Sequence, residues 1–134
     1  MIVEPPTLLE RKSILFVDDD EGMRAAVYGL LSPKYHVTLA VDGADGCAKA
    51  HEEPRPDLII SDIAMPLLDG IAMANQIRED VALREIPIIF LTGEMSPSRL
   101  LSVPHLGLPF AHIAKSADPL VLEIKVKRAL GDAA

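Results

Sequence analysis

Asp18, Asp19 and Asp20 stand side by side directly after the apolar run "ILFV" at positions 14 to 17. Two carboxylates about 4 Å apart repel by ~1 kcal/mol in water and by ~4 kcal/mol at the effective dielectric of a protein edge, so something must offset that repulsion. Groups of matching chemistry follow other short apolar runs: Asp62 after "LIIS", Thr92 at the end of "IPIIFLT" and Lys115 after "AHIA". A hard divalent cation, Mg²⁺ with Mn²⁺ as substitute, takes oxygen ligands in octahedral array, typically one or two carboxylates with waters and phosphate oxygens. Beside such a cation the Asp62 carboxylate can attack a phosphoryl group to give an acyl phosphate. Lys115 would then neutralise charge on the phosphoryl oxygens, and the Thr92 hydroxyl would donate a hydrogen bond to one of them.

For these groups to meet, the runs before them must lie side by side. Residues 14 to 17 read as a fully buried strand, and Met23, Val27, Leu30 and Leu31 follow at helical spacing until Ser32-Pro33. "YHVTLAV" alternates as a strand with one less apolar face, and a short helix over 44 to 52 ends before Pro54 and Pro56. "DLIIS" is a third strand, "LLDGIAMANQIRED" a helix carrying Leu67, Leu68, Ile71 and Ile77, and residues 86 to 92 a fourth strand. Ser96-Pro97 opens a short helix closed by Pro104, residues 109 to 114 form a fifth strand, and Asp118-Pro119 starts a last helix over 120 to 130, stopped by Gly131. Continuous apolar strands alternating with helices predict a doubly wound α/β fold, a parallel sheet with helices on both faces. Function in such sheets collects outside the carboxyl ends of the strands, where Asp18, Asp19, Asp62, Thr92 and Lys115 fall.

Composition bounds the reading. The 134 residues and an apolar share of 49% suit one domain with one core, residues 11–131, after an extended leader over 1–10 and before a tail at 132–134. No apolar run reaches the ~20 residues of a membrane span and the start lacks a signal-peptide layout, so a cytoplasmic protein with no membrane partner is expected. The net charge of −7 disfavours direct nucleic-acid binding and favours a cation or a basic partner. Cys47 is the single cysteine, which excludes an internal disulfide and a cysteine-based zinc site. Asp20 reads as a helix cap, and the cluster Lys125, Lys127 and Arg128 as a solvated helix face.

The segments "ILFVDDD", "PDLIISDIAMPLLDG", "IPIIFLTG" and "AHIAKS" together resemble, in this order over residues 12 to 130, the receiver (CheY-like) domain of two-component response regulators. The resemblance implies a five-stranded flavodoxin-like sheet of order 2-1-3-4-5. Asp62 matches the phospho-accepting aspartate, Asp18 and Asp19 the acidic pair that binds Mg²⁺ together with Asp62, and the backbone carbonyl of Ala64 the main-chain metal ligand. Thr92 matches the switch hydroxyl and Lys115 the lysine that pairs with the phosphoryl group, while His112 occupies the position of the switch aromatic. Such a domain is not an enzyme on other substrates; it catalyses its own phosphorylation and dephosphorylation. It takes phosphate from a sensor histidine kinase or a histidine phosphotransfer protein and passes the signal to a downstream protein or output domain through its fourth helix, fifth strand and fifth helix, as a monomer or weak homodimer. Ser116 replaces the proline that usually follows the lysine. Because a cis peptide before a non-proline residue costs ~2.5–4 kcal/mol, a trans bond is expected there, and the aim of Lys115 rests on other contacts.

Two rival readings stay open on the sequence. A phosphatase of the haloacid dehalogenase type would use Asp18 as nucleophile with Asp20, Thr92 and Lys115 in support, but it gives Asp62 no role. A pseudo-receiver would bind partners without phosphotransfer, which Ser116 and the proline-shortened fourth helix make conceivable.

Overall fold

A computed structural model describes residues 11–93 and 110–131. Its elements run β1 (Ser13–Val17), α1 (Glu21–Leu31), β2 (His36–Ala40), α2 (Gly43–Ala50), β3 (Leu58–Asp62), α3 (Gly70–Glu79), a 3₁₀ turn (Val81–Leu83), β4 (Ile88–Thr92), β5 (Phe110–Ala114) and α4 (Pro119–Ala129). The strands form one parallel sheet in the order β2-β1-β3-β4-β5. The leader at 1–10, the tail at 132–134 and the short helix expected after Ser96 lie outside the described residues, so α4 is the fifth and last helix of the sequence reading.

Strand alternation sends each apolar run to both faces of the sheet. Leu15, Val17, Ile59, Ile88 and Phe90 pack with Met73, Ala74 and Ile77 of α3 on one side. Ile14, Phe16, Leu58, Ile60, Ile89, Leu91 and Ile113 pack with Val27 and Leu31 of α1 and Leu122 and Val126 of α4 on the other. Both faces being dry in the middle of the sheet, β1, β3 and β4 show no polar alternation, and each buried large side chain contributes ~1.5–3 kcal/mol of transfer free energy.

Among the described residues, each of the four α-helices begins on an aspartate. Asp20, Asp42, Asp69 and Asp118 accept the N–H of Gly22, Asp45, Ala72 and Leu120 respectively, satisfying donors that an uncapped helix would leave open. Asp80 does the same for the 3₁₀ turn, which periodicity did not reveal. Two element boundaries differ from expectation for the same reason. Capping by Asp42 starts α2 one residue early, at Gly43. Capping by Asp69 starts α3 at Gly70, which leaves Leu67 and Leu68 in the preceding loop instead of on the helix. Leu67 is fully exposed and has φ +68°, a conformation that no helical residue adopts.

Candidate functional site at the carboxyl edge of the sheet

Most described aspartates are consumed by structure. Besides the five caps, Asp45 accepts from Val41 N–H and pairs with Lys49, and Asp57 accepts from Ser13 N–H at 2.7 Å. Asp18, Asp19 and Asp62 are left, and they converge: one carboxylate oxygen from each lies within 4.8 Å of the others. The sheet order explains the meeting, because β1 and β3 are adjacent and their registers place Val17 opposite Ser61, one residue before Asp18 and Asp62 respectively.

Asp18 is wholly buried and Asp62 nearly so, whereas Asp19 is exposed. The Asp18 N–H donates to Ala40 C=O at 3.1 Å, and its Oδ1 accepts the Asp20 N–H at 2.9 Å. Its Oδ2 is buried without a hydrogen bond, 3.4 Å from Lys115 Nζ. Lys115 Nζ donates instead to Asp62 Oδ2 at 3.0 Å. Burial pushes the Asp18 carboxyl above its ordinary range; the Asp62 charge adds to this, and the Asp20 N–H and Lys115 oppose it in part. Burial pulls the Lys115 ammonium down, but the hydrogen bond to Asp62 and the charges of Asp18 and Asp62 outweigh it, leaving Lys115 above its usual value. A buried carboxylate oxygen with no donor, beside two more carboxylates and one ammonium, suits a divalent cation with oxygen ligands.

The loop after β3 is drawn tight by Gly70, whose N–H donates to Ile63 C=O at 2.9 Å. A Cβ at Gly70 would stand 2.1 Å from the Asp62 carbonyl, so only glycine permits this close approach. The loop carries Ala64, exposed, immediately beyond the site. Thr92 ends β4, nearly buried, with its hydroxyl donating to Ile113 C=O on β5 at 3.4 Å. His112 is exposed on β5, paired in register with Phe90. Arg24, which the sequence reading did not single out, reaches back from α1 and donates from Nη1 to Asp18 C=O at 2.8 Å. The only sequence signal for it is a basic residue one turn into the helix that follows the acidic run. An apolar cavity of about 410 Å³ between α1 and α4 has Lys115 among its lining residues but none of the three aspartates.

Comparison with known proteins decides the family. A sequence model of the response regulator receiver domain matches residues 14–127. The chain belongs to the response regulator receiver family. Among curated relatives of this receiver domain, the response regulator Rre1 of Synechocystis is 32% identical over 125 residues, covering 92% of this chain and 53% of that protein. The alkaline phosphatase synthesis transcriptional regulatory protein PhoP of Bacillus subtilis is 39% identical over 84 residues, 62% of this chain and 34% of that one. The receiver chain thus spans about half or less of the length of these relatives. Among solved structures, the chemotaxis protein CheY4 of Vibrio cholerae superposes with a TM-score of 0.82 at 31% identity, covering 90% of this chain and 99% of that one. The signal receiver domain of a signal transduction histidine kinase from Syntrophus aciditrophicus gives 0.78 at 30% identity, with 90% of each chain covered. Among the described residues of the receiver, no helix is long and apolar enough to cross a membrane.

Proposed function

We propose that this receiver domain, residues 11–131, is a cytoplasmic phosphorylation-controlled switch of a phosphorelay that accepts a phosphoryl group on Asp62. The observation that carries the reading is the convergence of the Asp18, Asp19 and Asp62 oxygens with Lys115 Nζ 3.0 Å from Asp62 Oδ2. Asp18, Asp19, Asp62 and the carbonyl of Ala64 are the groups that would hold Mg²⁺, or Mn²⁺ in its place, whose chemistry there is neutralisation of charge on carboxylate and phosphoryl oxygens. An Asp62 oxygen attacks phosphorus, the P–O bond of the acyl phosphate forms, and the P–N bond to the donor histidine breaks with its electron pair returning to the imidazole. Lys115, already beside Asp62, transfers its pairing to the new phosphoryl oxygens. The Thr92 hydroxyl leaves the Ile113 carbonyl and donates to one of them, coupling the site to β5 and His112. The donor is a sensor histidine kinase or a histidine phosphotransfer protein, and the recipient a downstream protein or output domain that reads the face of the fourth helix, fifth strand and last helix.

Asp18 is a poor candidate for the nucleophile of a dehalogenase-type phosphatase. It is fully buried, one oxygen is bound to the Asp20 N–H and the other faces Lys115. Incubation with a radiolabelled small phosphodonor and Mg²⁺ tests the proposal. Acid-stable, base-labile label should appear on the wild type and vanish in Asp62→Asn with its circular dichroism intact. Label that persists in Asp62→Asn and disappears in Asp18→Asn would favour the phosphatase reading, and no label on the wild type would favour a pseudo-receiver.

A further inference from the structure

Three of the four polar groups of Asp18 are tied down. Its N–H and Oδ1 meet backbone groups, the carbonyl of Ala40 and the N–H of Asp20. Its carbonyl is held by a side chain, Arg24 Nη1, at 2.8 Å. That carbonyl belongs to the peptide plane joining Asp18 to Asp19, so its orientation sets the direction in which the Asp19 Cα and Cβ leave the strand. Asp19 is exposed, and packing gives its carboxylate little direction. We propose that Arg24 is a positioning residue for the carboxylate site: by clamping the Asp18 carbonyl from the second turn of α1 it fixes the 18–19 peptide and aims Asp19 into the cluster with Asp18 and Asp62.

The geometry is braced from below. The Arg24 N–H donates to Asp20 C=O at 3.0 Å and closes the first turn of α1, whose cap is Asp20 itself, and the Asp20 N–H in turn binds Asp18 Oδ1. The acidic run, the cap and Arg24 therefore form one closed loop of hydrogen bonds. Charge alone argues against an arginine here, because a cation next to a divalent-metal site weakens metal binding. Its donor geometry gives it a use that its charge does not, and groups that orient metal ligands are commonly worth 10- to 100-fold in metal affinity.

The inference rests on the reading of the cluster as a Mg²⁺ site, and the two are separable by titration. Calorimetric titration of the whole chain with MgCl₂ compares wild type, Arg24→Met and Arg24→Lys. The expected result is binding about tenfold weaker in Arg24→Met, although a positive charge has been removed, with Arg24→Lys in between because it keeps one donor and the charge. Saturating Mg²⁺ should restore labelling of Asp62 by phosphoramidate to the wild-type rate, which places the defect in binding. Binding by Arg24→Met as tight as wild type, or tighter as charge alone requires, overturns the positioning role. A wild type that binds no Mg²⁺ overturns the metal reading and this inference with it. Amide hydrogen exchange without metal gives an independent readout: the Asp19 and Asp20 amides should exchange faster in Arg24→Met while those of β1 keep their protection, and unchanged exchange also overturns the role.

Discussion

Lys115 Nζ lies 3.0 Å from Asp62 Oδ2 although serine follows it at position 116. Among the described residues the one cis peptide precedes Pro54, so the Lys115–Ser116 bond is trans. The lysine is aimed by its backbone instead. Its N–H donates to Thr92 C=O at 2.8 Å, extending the β4–β5 ladder by one residue, and the Ala117 N–H turns back to Ala114 C=O at 2.9 Å. A family proline is thus dispensable for placing this ammonium.

The same pair makes a prediction about stability. Lys115 sits between two carboxylates, and its side chain is about a quarter exposed. Replacing it by methionine leaves Asp18 and Asp62 facing each other without a counter-charge and should destabilise the metal-free protein by about 1–2 kcal/mol after allowance for solvent screening. Thermal unfolding in EDTA should show a melting point lower by roughly 3–8 °C. Melting at the wild-type temperature would mean that attraction within the site merely cancels its desolvation.

Asp18 gives the pH dependence. Its carboxyl is raised in the folded state, chiefly by burial, so the folded protein holds this proton more tightly than the unfolded chain does. The stability tied to the neutral form is therefore complete below the unfolded value, near 4, and is lost as pH rises through the raised folded value. In EDTA, Asp18→Asn should be more stable than wild type at pH 7, and the gap should narrow toward pH 4, as read from urea midpoints. Mg²⁺ should stabilise the wild type by mass action, about 2.7 kcal/mol at 100 times the dissociation constant, and do little for the variant. An Asp18→Asn variant less stable than wild type at pH 7 without metal would contradict the assignment of Asp18 ionisation as a cost to folding.

The sequence was legible where a residue type has one strong use. Continuous apolar runs ending in Asp18, Asp62 and Thr92 announced buried parallel strands and the edge on which chemistry gathers, and Asp20 and Asp118 before helical spacing announced two of the caps. What it hid depends on approach between elements. The Arg24 clamp on Asp18 needs the turn between β1 and α1 to be built before it exists. Leu67 and Leu68 read as helical because leucine favours helices and their spacing fits, while the Asp69 cap and the close packing of Gly70 on Asp62 decided the boundary.

Leu67 is the one described non-glycine residue with positive φ, and it stands fully exposed in the loop after β3. The Leu68 N–H donates to Pro66 C=O at 2.8 Å, closing a three-residue turn with Leu67 at its centre, a conformation that strains a leucine by ~1–2 kcal/mol. Among the described residues no packing compensates. Leu67→Asn, which tolerates this region, should stabilise the domain by about 0.5–1 kcal/mol in chemical denaturation. A loss of stability would show that the exposed leucine packs on something the described residues do not include.

Gly43 sets the start of α2 against that loop. A Cβ there would stand 2.3 Å from Leu68 C=O and 3.0 Å from Leu68 Cβ, and a backbone carbonyl cannot swing aside as a side chain can. Helix propensity alone would favour alanine at this first position of α2 by up to ~1 kcal/mol, but forcing the loop outward should cost about 1–3 kcal/mol, so Gly43→Ala is expected to be destabilising on balance. Gly29 is the matched control: it lies within α1 with nothing within 4 Å of a built Cβ, and Gly29→Ala should stabilise by about 0.5–1 kcal/mol. Because the displaced loop also carries Ala64, Gly43→Ala should weaken Mg²⁺ binding while Gly29→Ala leaves it unchanged. Urea denaturation and Mg²⁺ titration of the two variants therefore separate a helix effect from a loop effect, and equal behaviour of the pair would show that the contact between Gly43 and Leu68 yields without cost.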